Sequence, residues 1–144
     1  MRRRVGSQIA CAVLAFAVAG CGDLSRGELS RGVESLGAIA AQGQLIANGV
    51  ARDATKSTYT RVMAKTLGDE AEHEAEKLAD AEPAESVAPE RHAAVLVAEE
   101  IADLYSQLRV FPGDERHGAV IEKHMEEAKG KADAIAERLT GEEQ

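Results

Sequence analysis

Apolar residues recur every three or four positions along most of the chain after residue 24, which is the spacing of one helix face. The first series begins where Ser25 and Glu28 have the spacing of an N-terminal capping box. Its members follow a heptad seam: Leu29, Val33, Leu36, Ala40, Gly43, Ala47 and Val50. Because these side chains become smaller along the helix, we expect a partner helix to approach closely there.

The end of this first helix has two interpretations. Asn48-Gly49 is a plausible helix stop, and a second helix would then run from about Asp53 to Asp80. Alternatively, because no proline occurs between residues 22 and 82, one helix runs from about 25 to 80 and forms a coiled-coil dimer. We favour the turn, since a glycine inside a helix costs about 1 kcal/mol relative to alanine.

The remaining chain predicts two more helices. Residues 81–88 form a loop, and Pro89 begins a third helix that reaches Val110. The turn at residues 111–114 is short, so the fourth helix returns antiparallel, capped by Asp114. No segment alternates with period two. The predicted fold class is therefore all-α, an antiparallel bundle of about four helices without a β-sheet.

The first twenty residues have the pattern of a secretory signal. Three arginines precede the apolar run at residues 9–19, and small residues close it. A helix that spans a bilayer needs about 20 apolar residues, and this run is shorter. We therefore predict that residues 1–20 are a signal peptide.

The stretch Val18-Ala19-Gly20-Cys21 resembles the lipobox of bacterial lipoproteins. The resemblance implies cleavage between Gly20 and Cys21 and a diacylglyceryl group on the Cys21 thiol, with the protein on the extracytoplasmic side of the cell membrane. We therefore expect a lipidated N-terminus and tether at 21–28, and the helical periodicity predicts the bundle at 29–140 and a solvated tail at 141–144. Gly22 and Asp23 do not match the retention signal of enteric bacteria, so inner and outer membrane both remain open.

Charge and cysteine content restrict the partners. Without residues 1–20 the chain carries 14 basic and 25 acidic residues, which argues against nucleic acid because phosphate binding needs a basic surface. The only other cysteine, Cys11, lies in the signal, so no disulfide is expected. Apart from the covalent lipid we predict no cofactor. A monomer and a homodimer remain alternatives.

The part after the signal also resembles, loosely, small uncharacterised helical lipoproteins of high-GC bacteria. Those often have an Ala-rich helix, a loop with proline, and a helix that starts Pro-x-x-His, here Pro89-Glu90-Arg91-His92. The resemblance implies a helical fold and carries no activity.

A bundle with Glu-x-x-His motifs would resemble the ferritin-like proteins, which bind two metal ions. This chain has one such motif, at Glu70 and His73, and its histidine is predicted to point into solvent. His117 and His124 are predicted to be half-buried. They are seven residues apart, about 10 Å along a helix, so one zinc ion does not bind both. We predict no metal site.

One segment of the chain is strongly acidic. It could form a patch that binds a divalent cation weakly or that binds a basic partner, and the alternative is an ordinary solvated surface. The candidate residues of this patch are Glu70, Glu72, Glu74, Glu76 and Asp80. No calcium-loop spacing is present.

No catalytic motif occurs in the chain, so we do not expect an enzyme. The predicted function is that of a membrane-anchored lipoprotein with a structural or partner-binding role at the cell envelope, where the partner is the bilayer and an unidentified envelope protein. The alternative is a carrier of a small ligand or metal, which requires a polar interior cluster around His117 or His124.

Overall fold

The computed structural model describes residues 23–141, which form four helices in chain order: α1 (Arg26–Ala51), α2 (Ser57–Asp80), α3 (Ala88–Val110) and α4 (Glu115–Gly141). A single 3-10 turn, Glu85–Val87, precedes α3. Within this range the only β-type pairing is an isolated bridge, so the prediction of an all-α bundle is confirmed. None of these four helices is both long enough and apolar enough to cross a bilayer.

The break between the first two helices confirms the turn and corrects its position. α1 continues through Asn48-Gly49 and ends at Ala51, so the single long helix is wrong. The Asn48 side chain donates a hydrogen bond to Glu122 on α4 (2.6 Å), which keeps this residue in the helix. The chain turns at Asp53, whose φ of 52° is left-handed. Gly49 leaves room for the turn that follows, because a Cβ there would overlap the Thr55 hydroxyl of the returning chain.

The start of the described chain lies beside two later segments. The Leu24 amide donates to the Glu82 carbonyl (2.6 Å), and the Arg26 guanidinium donates to the Leu139 carbonyl (3.0 Å). The beginning of α1, the α2–α3 connection and the end of α4 therefore form one end of the bundle, which we call the N-terminal end. The α1–α2 and α3–α4 turns meet at the other end, where Gly113 faces Ser57.

The core consists mostly of aliphatic side chains, and the helices approach closely where these are small. All seven residues of the predicted α1 seam are buried. α1 packs most extensively against α4, and α2 against α3. A Cβ on Gly118 of α4 would lie 2.7 Å from the Ala51 amide nitrogen and 3.0 Å from the Ala47 carbonyl oxygen. The helix that approaches the small residues of the α1 seam closely, as predicted, is therefore α4.

One tyrosine links diagonal helices through the centre of the bundle. Tyr105 of α3 is fully buried, and its hydroxyl donates to the Ile39 carbonyl of α1 (2.6 Å). Gly43 leaves the space for this contact, because a Cβ there would lie 2.9 Å from the hydroxyl. Burial, and then the nearby charge of Glu70, raise the pKa of Tyr105. This phenol therefore stays neutral and joins α3 to α1.

Candidate functional site

At the N-terminal end of the bundle, α1 begins with a capping box. The Ser25 amide donates to Glu28 Oε2 (3.0 Å), and the Glu28 amide donates to Ser25 Oγ (3.3 Å), which confirms the capping box. Hydrogen bonds from the Ser25 hydroxyl and amide lower the pKa of Glu28. α1 starts at Arg26, inside the range 21–28 that was predicted as the tether. Gly20 and Cys21 lie outside the described residues, so the lipobox remains a prediction.

A groove of about 490 Å³ opens between α1 and α2 at this end. Its floor is apolar and includes Gly32 and Leu78, and Arg31 lies on its rim. On the α2 side of the groove, Glu74 forms an ion pair with Lys77 of the same helix (3.4 Å). The groove thus combines an apolar floor with a rim that carries both signs of charge.

The predicted acidic patch does not lie on one surface. Glu74 faces α1, as just described, whereas Glu72 and Glu76 face α3, and Glu70 and Asp80 are exposed. The side toward α3 is a shallow groove of about 380 Å³ with an alanine floor. The five acids therefore divide between different faces of α2.

Two carboxylates outside the predicted acidic patch complete the α2–α3 groove. They are Glu99 and Asp103 of α3, which line it together with Glu72 and Glu76. Among residues 23–141 none of these four forms an ion pair. Glu99 and Asp103 lie on the outward face of α3. The spacing of the buried residues of α3 is enough to predict that position. Their proximity to α2 required the tertiary structure.

The two predicted half-buried histidines lie at the surface of α4. The exposed fractions of the His117 and His124 side chains are 44% and 47%. His117 stacks on the Phe111 ring with centroids 4.2 Å apart, and its backbone amide donates to Asp114 Oδ1 (2.9 Å). That hydrogen bond lowers the pKa of Asp114 and caps α4. His124 Nδ1 lies 3.1 Å from Glu127 Oε2 on the same helix.

The remaining histidines, His73 and His92, are exposed. Within the described part of the chain, no three His, Cys, Asp or Glu side chains are grouped so that they could hold a metal ion. The buried residues of α4 are apolar or glycine: Gly118, Ile121, Met125, Ala128, Ala132, Ile135 and Leu139. Among residues 23–141, no polar interior cluster of the kind that the carrier alternative requires is observed around His117 or His124.

The outer face of α1 differs from the other helix surfaces in charge. α1 carries two basic and two acidic residues, all before Ser35, so the stretch from Ser35 to Ala51 is uncharged. α2 carries three basic and six acidic residues over its length. Leu45, in the uncharged stretch, is 75% exposed. This face was not among the sequence-based predictions, which concerned the buried seam of the same helix.

No protein family, no curated protein and no solved structure matches the chain.

Proposed function

We propose that this protein is a bacterial lipoprotein whose helical bundle is held at the extracytoplasmic surface of the cell membrane, where it serves a structural or partner-binding role. The lipobox-like stretch that ends at Cys21 carries the proposal, because an apolar run, small residues and a cysteine in this order are what lipid attachment requires.

The start of the fold supports the same proposal. Leu24 is buried and hydrogen-bonded to the α2–α3 connection, only three residues after Cys21. A lipid on Cys21 would therefore hold the N-terminal end of the bundle within a few residues of the bilayer. Two acyl chains provide stable anchoring, whereas one chain gives only reversible binding.

Two cysteine variants test the proposal in a bacterial host that labels lipoproteins with an alkyne fatty acid. We expect Cys21→Ser to abolish the label, and to release the protein from the membrane fraction or leave it unprocessed. Cys11→Ser is the matched control, because Cys11 lies in the segment that cleavage would remove. Lipid labelling that persists in Cys21→Ser would overturn the proposal.

A further inference from the structure

Four residues spaced seven apart form one exposed strip along the outside of α1 and its C-cap. They are Arg31, Ala38, Leu45 and Arg52, which we call the α1 strip. At 100° per residue they lie within about 60° of one another, over about 32 Å of helix axis. Leu45 is the most exposed large hydrophobic residue of the described chain.

The α1 strip carries two arginines and no acid, whereas the rest of the bundle is acidic. Glu34 and Asp53 balance its two arginines, and no charge lies between Glu34 and Arg52. α2, α3 and α4 each carry more acidic than basic residues. An anionic lipid surface repels acidic faces and attracts arginine side chains. Of the four helix faces, α1 therefore approaches such a surface with the least repulsion.

Three of the acids that border the strip are paired. On the α4 side, Glu122 accepts a hydrogen bond from Asn48, and Asp133 is paired with Lys129 (2.6 Å). On the α2 side, Glu74 is paired with Lys77. In contrast, the acids between α2 and α3 have no ion-pair partner among the described residues. The groove between α2 and α3 thus carries four carboxylates without an ion pair among the described residues, on a side of the molecule that does not carry the strip.

We propose that α1 lies along the bilayer surface, with Leu45 in the headgroup region and the acidic groove between α2 and α3 facing the aqueous side. This inference rests on the lipid attachment at Cys21 proposed above. Because α1 begins five residues after Cys21, the anchor holds the strip next to the bilayer at a high effective concentration. A single exposed leucine with two arginines, too weak to bind alone, then suffices to orient the bundle.

A fluorophore on an introduced cysteine tests this orientation in the lipidated full-length protein. The vesicles contain phosphatidylcholine, phosphatidylglycerol and a lipid with a nitroxide on its acyl chain, which quenches fluorophores near the bilayer. Leu45→Cys is compared with Leu96→Cys, because Leu96 is also exposed (52%) and lies on α3, diagonally across the bundle. We expect about threefold stronger quenching at position 45 than at position 96.

An acidic substitution on the strip supplies a second measurement. In the Leu45→Cys protein, Ala38→Glu adds a negative charge to the strip, and we expect quenching to fall about twofold. Ala134→Glu adds the same charge on the exposed side of α4 toward α3 and should leave quenching unchanged.

The outcomes separate the two proposals. If the protein does not float with the vesicles, lipid attachment has failed. If it floats but the fluorophore is quenched equally at both positions, or at neither, the orientation is wrong while the anchor stands. If the fluorophores at position 45 quench each other as the protein density on the vesicles rises, a second copy covers the strip and the orientation is likewise overturned.

Discussion

α4 contacts two neighbours in different ways. Toward α1 the two backbones nearly touch, since Gly118 faces the backbone of Ala47 and Ala51 with no room for a methyl group. Toward α3 the helices leave a surface groove of about 400 Å³, with Val97 and Ile135 among its lining residues.

The edge of the α3–α4 groove is held by charged side chains. Lys131 of α4 pairs with Glu100 of α3 (2.6 Å), and Arg138 Nε lies 3.6 Å from Glu90 Oε1. These side chains are flexible and partly exposed, so they can adjust to a change, whereas two backbones in contact cannot. The same helix is therefore intolerant of added volume on one side and tolerant of substitution on the other.

The largest effect is expected for Gly118→Ala. The added methyl group would lie 2.7 Å from the Ala51 amide nitrogen, so the α1 and α4 backbones must move apart. We expect the free energy of unfolding, measured by guanidinium denaturation and circular dichroism, to fall by about 3 kcal/mol.

Gly130→Ala on the same helix is the control for Gly118→Ala. Nothing lies within 4 Å of a Cβ at position 130, so this substitution should raise stability, by up to about 1 kcal/mol. If both variants were equally stable, α1 and α4 would not be in the close contact described.

A smaller effect is expected for Tyr105→Phe, which removes the hydrogen bond between α3 and α1. At pH 7 we expect a loss of about 1 kcal/mol in the free energy of unfolding. The pH profile is the sharper readout. Burial raises the pKa of Tyr105 in the folded state, so the wild-type stability is complete below the unfolded value of about 10 and falls as the pH rises above it.

The Phe variant should lose this alkaline decline, because it has no phenol to ionise. Tyr59→Phe serves as the control, since Tyr59 is 54% exposed and the decline should remain in that variant. An unchanged alkaline profile in Tyr105→Phe would show that the diagonal contact does not keep the phenol neutral.

The smallest effect is expected at the α3–α4 groove. Lys131→Ala removes the ion pair with Glu100 and should change the free energy of unfolding by less than about 0.5 kcal/mol, and less at high salt. Lys129→Ala, which removes a pair within α4, is the reference. A loss as large as that of Gly118→Ala would contradict the distinction between the two sides of α4.

Local sequence signals determined the fold class and most helix ends. The Ser25–Glu28 capping box, the Asp114 cap and the end of α3 at Val110 agree with the structure, because each depends on residues within one turn of the helix. The seam of α1 was also predicted correctly, since periodicity alone identifies a buried face. The signal peptide and the lipobox are equally local patterns, and they remain predictions.

Contacts between helices that are distant in sequence decided the rest. α1 continues past Asn48-Gly49 because the Asn48 side chain donates a hydrogen bond to Glu122, which lies 74 residues later. The acidic residues of α2 divide between two neighbours, because helical geometry turns successive side chains toward different helices. Which helix would approach the small seam closely depended on how all four helices packed, and no single segment contains that information.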